Sequence, residues 1–242
     1  MSTTPTPIGR VLITGGASGL GAAVAAAVTA AGGTPLVLDR DVSTVQEGIA
    51  AYQVDVAKTR EAEKAVAEIA REHGGLDAVV TAAGIDRCGR LVDVEPEEWE
   101  RVISVNLLGT AAVVRAALPF LTDAHGRVVT VASSLAIKAV SDATAYCASK
   151  FGVLGFTRAL AAETKGEIGV TTLIPSGMKT RFFDDRDEQY KPGPDALLND
   201  PENVANAVMF VLGQPRGCEI RELVVTHEQE PSWPFLPSPF TR

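Results

Sequence analysis

Val11-Leu12-Ile13 runs without a break into Thr14-Gly15-Gly16-Ala17-Ser18-Gly19-Leu20-Gly21 and then into an alanine-rich segment that reaches Ala31. An apolar run, a glycine cluster and an alanine run in this order read as strand, tight turn and helix. Glycines at such a junction let the backbone approach a pyrophosphate closely. The start of the helix adds free N–H groups and the positive end of its dipole. A tight turn without a ligand is the alternative, and the next strand bears on it. Pro35 to Leu38 ends at Asp39, twenty residues after Gly19, where a carboxylate can accept both ribose hydroxyls of an adenosine. A 2′-phosphate would meet a negative charge there, which favours NAD over NADP. Arg40 is the counter-argument, because it can swing over a phosphate.

Alternation of strands and helices continues along the chain. Tyr52-Gln53-Val54 ends at Asp55, and a helix follows from about Thr59 to Glu72 with Ala65, Val66, Ile69 and Ala70 at helical spacing. Asp55 is placed either to accept from an adenine amino group or to cap the turn that follows it. Leu76 to Thr81 reads as the fourth strand and passes into Ala82-Ala83-Gly84, small enough for the chain to run close under a bound cofactor. Pro96-Glu97-Glu98 opens a long helix, with Asn106 in its middle and apolar residues almost all round from Leu107 to Leu118. Asn106 there is either a structural hydrogen bond at a kink or a catalytic group. Gly126 to Ala132 is a buried valine strand ending at Ser133-Ser134, and Val170 to Ile174 ends at Pro175-Ser176-Gly177-Met178-Lys179-Thr180. Residues 181–199 mix charge with Phe182, Phe183 and Tyr190 and contain Pro192-Gly193-Pro194, which reads as a mobile lid, with a solvated loop as the alternative. A helix from about Asp200 to Leu212 and a last strand, Leu223 to Val225, complete the pattern. Pro231 to Arg242, with four prolines and three aromatics, is neither helix nor central strand and reads as a frayed tail or an extended arm laid on a neighbour, the aromatics favouring the arm.

Tyr146 and Lys150 stand four residues apart in a helix expected from about Thr144 to Glu163, and Tyr146 comes thirteen residues after the strand-end Ser133. A free phenol titrates near pH ~10, so one that exchanges protons at neutral pH needs its phenolate stabilised by roughly 4 kcal/mol. A cation one turn away acts in that direction. A serine at the carboxyl end of a parallel strand faces the crevice where such sheets bind ligands.

Composition narrows the classes. The net charge of −8, with no basic run, argues against nucleic acid and anionic membrane surfaces as partners. Hydrophobic residues make up 46% of the chain and aromatics only 5%, which suits helices packed closely on a parallel sheet. Residues 1–242 are expected to form a single domain, with a short N-terminal extension over 1–9 and a proline-rich tail over 229–242. No charged n-region followed by an apolar stretch opens the chain, and no apolar stretch reaches 18 residues unbroken; neither a secretion signal nor a transmembrane helix is expected, and the protein is expected to be soluble and cytoplasmic. Cys88, Cys147 and Cys218 give neither a disulfide framework nor a zinc pattern and are expected as reduced, small apolar side chains; His73, His125 and His227 are too scattered for a metal site.

Taken together, Thr14-Gly15-x-x-x-Gly19-x-Gly21, Asp39, Asp55, Asn106, Ser133, Tyr146-x-x-x-Lys150 and Pro175 to Thr180 resemble the short-chain dehydrogenase/reductase family over nearly the whole chain. The resemblance implies a doubly wound Rossmann fold with a seven-stranded, mainly parallel sheet in order 3-2-1-4-5-6-7, helices on both faces, and a nicotinamide cofactor. By that resemblance Tyr146 is the general acid/base and Lys150 binds the nicotinamide ribose and lowers the phenol pKa. Ser133 orients the substrate oxygen, Asn106 holds a water in a proton relay, and Thr180 binds the carboxamide. The cofactor set it implies is Thr14, Gly15, Ala17, Ser18, Gly19, Leu20, Gly21, Asp39, Arg40, Asp55, Val56, Ala82, Ala83, Gly84, Tyr146, Lys150, Pro175, Gly177 and Thr180. Asp86, Ser133, Leu135, Tyr146 and Phe182 are the expected substrate contacts for a small alcohol or carbonyl compound. NAD is the expected cofactor. The two broadly apolar helices suggest a homodimer or homotetramer. An NADP-dependent carbonyl or ketoacyl reductase, or a catalytically silent nucleotide-binding regulator, are the alternatives. Three departures from the family pattern stand out. Thr81-Ala82-Ala83-Gly84 replaces Asn-Asn-Ala-Gly, with a stability effect expected. Pro175-Ser176 replaces Pro-Gly, and Thr226-His227-Glu228 stands where Asp-Gly-Gly is common.

Overall fold

The alternating side chains of Val11-Leu12-Ile13 are used on two faces. Leu12 enters one hydrophobic core with Leu36, Val79 and Val128, while Val11 and Ile13 enter another with Val37, Val80 and Val129. A strand buried on both sides needs helices on both sides, and that is the architecture of this computed structural model, which describes residues 6–229. The strands are β1 (Arg10–Thr14), β2 (Thr34–Asp39), β3 (Ala50–Gln53), β4 (Ala78–Thr81), β5 (Arg127–Val131), β6 (Gly169–Pro175) and β7 (Glu222–Val225). They form one sheet in order β3-β2-β1-β4-β5-β6-β7, and every neighbouring pair is parallel. The expected doubly wound fold is borne out in strand order and direction.

On one face lie α1 (Gly19–Ala30) and α6 (Pro201–Leu212), which pack Leu20, Val24 and Val28 together with Val204, Val208 and Val211. On the other lie α2 (Thr59–Glu72), α4 (Thr110–Ala124) and α5 (Thr144–Glu163), burying Val66, Ile69, Val113, Val114, Leu121 and Leu160. Strand order turns between β1 and β4, whose register pairs Thr14 with Thr81. The chain ends leaving those two strands on the carboxyl edge therefore frame a crevice.

The long helix opened by Pro96 runs on to Ala124 as expected, with α3 (Pro96–Ile103) passing through a π-helical turn over Ser104–Gly109 into α4. Against expectation, the stretch Pro96–Ala124 does reach the length and hydropathy of a membrane-crossing helix, with a mean hydropathy of 1.6 over its best window. Half of that window is buried inside the domain, as expected of a core helix. Cysteine behaviour is mixed as well: Cys147 is buried, but Cys218 is exposed and Cys88 donates its thiol hydrogen to Asp86 at 3.3 Å. Residues 1–5 of the N-terminal extension and the proline-rich arm from Pro231 lie outside the described residues.

Candidate active site

The glycine turn is shaped by what it touches. A Cβ on Gly15 would lie 2.7 Å from the Ala83 backbone, and one on Gly21 would lie 2.1 Å from the Gly15 carbonyl oxygen. Gly15 and Gly19 also take φ of +69° and +51°, a region that favours glycine. The turn is thereby held flat against the exit of β4, and α1 starts beneath it. The first turn of α1 carries no acidic residue, so its N–H groups and dipole end are left to an incoming anion. This backbone fits the pyrophosphate of a dinucleotide.

Other residues of the expected cofactor set are placed here too, with different contacts. Asp39 Oδ2 accepts from the Ala17 N–H at 3.0 Å and Oδ1 from the Asp41 N–H at 3.2 Å. Ala17 thus uses its N–H to fix Asp39 beside the glycine turn rather than to meet a phosphate. Ser18 precedes α1 in extended conformation and Leu20 is buried beneath it. Arg40 is exposed. Asp55 is engaged at both oxygens: Oδ1 accepts from the Ala57 N–H at 3.0 Å and Oδ2 from Arg101 Nη2 at 2.9 Å. Desolvation pushes its carboxyl up, but Arg101 and the Ala57 N–H outweigh it and leave it below the ordinary carboxylate range. Capping and an ion pair with α3 are what Asp55 does in this structure, and Val56 beside it packs into the core. Thr14 Oγ1 accepts from the Ala83 N–H at 3.1 Å, which ties β1 to the exit of β4.

The reacting groups expected from sequence converge at the carboxyl edge. Ser133, in extended conformation after β5, accepts the Leu135 N–H at its hydroxyl, 3.1 Å away. Tyr146 and Lys150 sit one turn apart in α5, with Lys150 Nζ 5.5 Å from the phenol ring centroid. Lys150 Nζ donates to the Val131 carbonyl at 2.8 Å and would lie 3.6 Å from a Cβ on Gly84. Burial pulls the Lys150 ammonium down to about 8, against the opposing charge of Asp86. Burial likewise pushes the Tyr146 phenol above its ordinary value; Ser133 lowers it, Asp86 raises it and Arg186 lowers it. Leu135 and Phe182 pack around Tyr146, and the Phe182 ring centroid lies 5.7 Å from that of Tyr146.

The Asn106 side chain is engaged by its neighbours. Within the π-helical turn its Oδ1 accepts from the Ile85 N–H at 2.8 Å, and its Nδ2 donates to the Ile85 carbonyl at 2.9 Å and to Ser149 Oγ at 3.0 Å. The side chain is spent on holding the Gly84–Asp86 segment against α5. The structural bond at a kink is therefore its visible role.

The exit of β6 is tied to the end of the 181–199 segment. Lys179 N–H donates to the Asn199 carbonyl and Asn199 N–H to the Gly177 carbonyl, each at 2.9 Å. Thr180 Oγ1 accepts from the Phe182 N–H at 3.3 Å, and its side chain faces Gly19. A cavity of about 480 Å³ opens beside it, lined by Lys179, Thr180, Phe183, Pro192 and Leu198 among others. Tyr146 does not line that cavity. The departures at the ends of β4 and β6 each leave a buried hydroxyl without a partner among the described residues, at Thr81 and at Ser176.

Sequence reasoning missed Arg186, which reaches from the 181–199 segment to Asp86 at 2.6 Å, and the Arg101 and Ser149 partners. Arg186 lies among alternating charges in a segment with no periodic pattern, so nothing local singles it out.

The family model described as short chain dehydrogenase matches residues 9–191. D-threitol dehydrogenase of Mycolicibacterium smegmatis is 33% identical over 184 residues, covering 71% of this chain and 70% of that protein. An uncharacterized oxidoreductase of Staphylococcus aureus is 28% identical over 224 residues, 88% of this chain and 95% of that one. Among solved structures, the alcohol dehydrogenase of the archaeon Thermococcus sibiricus, complexed with 5-hydroxy-NADP, superposes with a TM-score of 0.82 at 24% identity, covering 92% of this chain and 97% of that one. The ligand-free aldohexose dehydrogenase of Thermoplasma acidophilum gives 0.82 at 22% identity, over 90% and 92%. At these identities the two structures speak for the fold alone.

Proposed function

The chain belongs to the short-chain dehydrogenase family, and from that premise we propose that it is an NAD-dependent oxidoreductase interconverting a small alcohol and its carbonyl form. The observation that carries the reading is the meeting of Ser133, Tyr146 and Lys150 in one buried site at the carboxyl edge of the sheet. In this reading the first turn of α1 holds the pyrophosphate, Asp39 the adenosine ribose, and Lys150 with the Gly84 segment the nicotinamide ribose. Bound there, a nicotinamide dinucleotide supplies the acceptor or donor of hydride.

The chain's own part is the proton. Tyr146 exchanges it with the substrate oxygen at its phenol oxygen, and Ser133 Oγ orients that oxygen. Lys150 contributes a positive charge that favours the phenolate. Acid/base transfer of this kind contributes ~10²–10⁴-fold. Asn106 acts through Ile85, as a positioning residue. Phe182 and its neighbours in residues 181–199 act as a lid that excludes water from the reacting atoms.

Asp39 supports NAD, because the carboxylate anchored by Ala17 would meet a 2′-phosphate with like charge. The second reading, NADP, rests on the exposed Arg40 beside it. A panel of small alcohols and ketones assayed with both cofactors in both directions decides. NAD-linked turnover at least about tenfold more efficient than NADP-linked is expected, a gap of about 1.4 kcal/mol. Equal use of NADP contradicts the cofactor assignment, and no turnover with either contradicts the enzyme.

A further inference from the structure

Asp86 follows the Gly84 turn at the exit of β4, and its side chain is only 2% exposed. Oδ2 accepts from Arg186 Nη2 at 2.6 Å and from the Cys88 thiol at 3.3 Å. Oδ1 is buried without a hydrogen-bond partner among the described residues. Arg186, arriving from the lid, donates from Nη1 to the Tyr190 carbonyl at 3.2 Å and stacks its guanidinium over Phe183 and Phe182, 4.6 and 5.4 Å from the ring centroids. Its Nε is likewise buried and has no hydrogen-bond partner among the described residues. The ion pair is thus joined through one bond and leaves one acceptor and one donor unspent, beside the point where Phe182 covers Tyr146.

Orphaned polar atoms inside a protein are costly, and a buried ion pair is a weak source of stability that an apolar pair of similar size commonly matches. An arrangement that retains both costs next to the reacting phenol points to a ligand that satisfies them. The charge state of the pair limits what that ligand is. A carboxylate substrate would draw Arg186 away and strand the Asp86 charge; an amine would do the reverse. A plain monoalcohol would leave both atoms unsatisfied. A hydroxyl both donates and accepts, so it can bond Oδ1 and Nε while the ion pair stays intact.

We propose that Asp86 and Arg186 are the specificity-determining pair of this site and select neutral polyhydroxylated substrates, giving an acceptor and a donor to hydroxyl groups beyond the reacting carbon. Both atoms are sealed while Phe182 lies on Tyr146, so substrate entry requires residues 181–186 to lift, and Arg186 returns with them onto the bound polyol. The proposal rests on the dehydrogenase reading above.

The test uses the full chain and three four-carbon probes: erythritol, butan-2-ol and 3-hydroxybutyrate, with NAD and NADP. Wild-type kcat/KM for erythritol is expected to exceed that for butan-2-ol and for 3-hydroxybutyrate by at least about a hundredfold, since sites built to bond a hydroxyl reject analogues without it. In the D86L/R186L variant, which removes both charges together, the erythritol-to-butan-2-ol ratio is expected to fall to within about tenfold of unity, with retained cofactor binding reporting an intact fold. Comparable wild-type efficiency on butan-2-ol, or preference for 3-hydroxybutyrate, overturns the proposal and leaves the dehydrogenase reading standing. So does a variant that binds cofactor and keeps the wild-type ratio. Turnover of no alcohol in any wider panel overturns the dehydrogenase reading itself. The wild-type comparison decides even where the double variant does not fold.

Discussion

At the scale of single residues, the burial of Lys150 works against stability. Its Nζ is buried and its pKa of about 8 lies below the ordinary 10.5, so between those values the unfolded chain holds a proton that the folded chain has released. Stability therefore rises with pH through that window, and the cost of burying the charge, on the order of 3 kcal/mol, is fully present below it. Lys150→Met is expected to be inactive yet more stable at pH 7 by up to about 3 kcal/mol, and to lose this rise between pH 8 and 10.5. Urea unfolding of both proteins at pH 7 and 10 checks it; parallel pH dependences would contradict it. Tyr146, Lys150 and Ser133 were legible in the sequence because helix spacing and a strand end place them without long-range information. Arg186 was not, since its partner lies 100 residues away. Nor was the Ala17 bond to Asp39, which depends on how the glycine turn meets β2.

Elements follow the same division. The limits of α2 and α5 coincide with the periodicity of their apolar residues, and a proline and carboxylates mark the start of α3. The π-helical turn carries no such mark. It is bound up with Asn106, whose contacts reach back 21 residues to Ile85 and forward 43 to Ser149, distances that local pattern does not encode. Asn106→Ala leaves the Ile85 N–H and carbonyl without their partner, and each buried orphan costs about 1–3 kcal/mol. A loss of about 2–5 kcal/mol in unfolding free energy is expected, with kcat falling more than cofactor affinity as the Gly84–Asp86 segment loosens. A change below about 1 kcal/mol would show that the side chain is not holding this turn.

For the whole molecule, turn and helix signals marked where each strand ends, while the order of the sheet came with the resemblance to the short-chain dehydrogenase/reductase family, one of the few arrangements that parallel connections leave. What the surface does was less readable. Leu108 in the π-helical turn and Phe151 in α5 remain 48% and 44% exposed, on the two helices whose apolar residues extend beyond one face. We expect them to be covered in a homodimer or homotetramer. L108E/F151E should then lower the mass measured by light scattering while the wild type exceeds one chain; a monomeric wild type would remove this expectation. The most direct measurement of how the molecule works is steady-state turnover by Tyr146→Phe alongside its affinity for the nicotinamide cofactor. The expected result is a loss of at least ~10²-fold in kcat with cofactor affinity within about threefold of wild type. Near-normal turnover by that variant would contradict the assignment of Tyr146 as the proton-exchanging group.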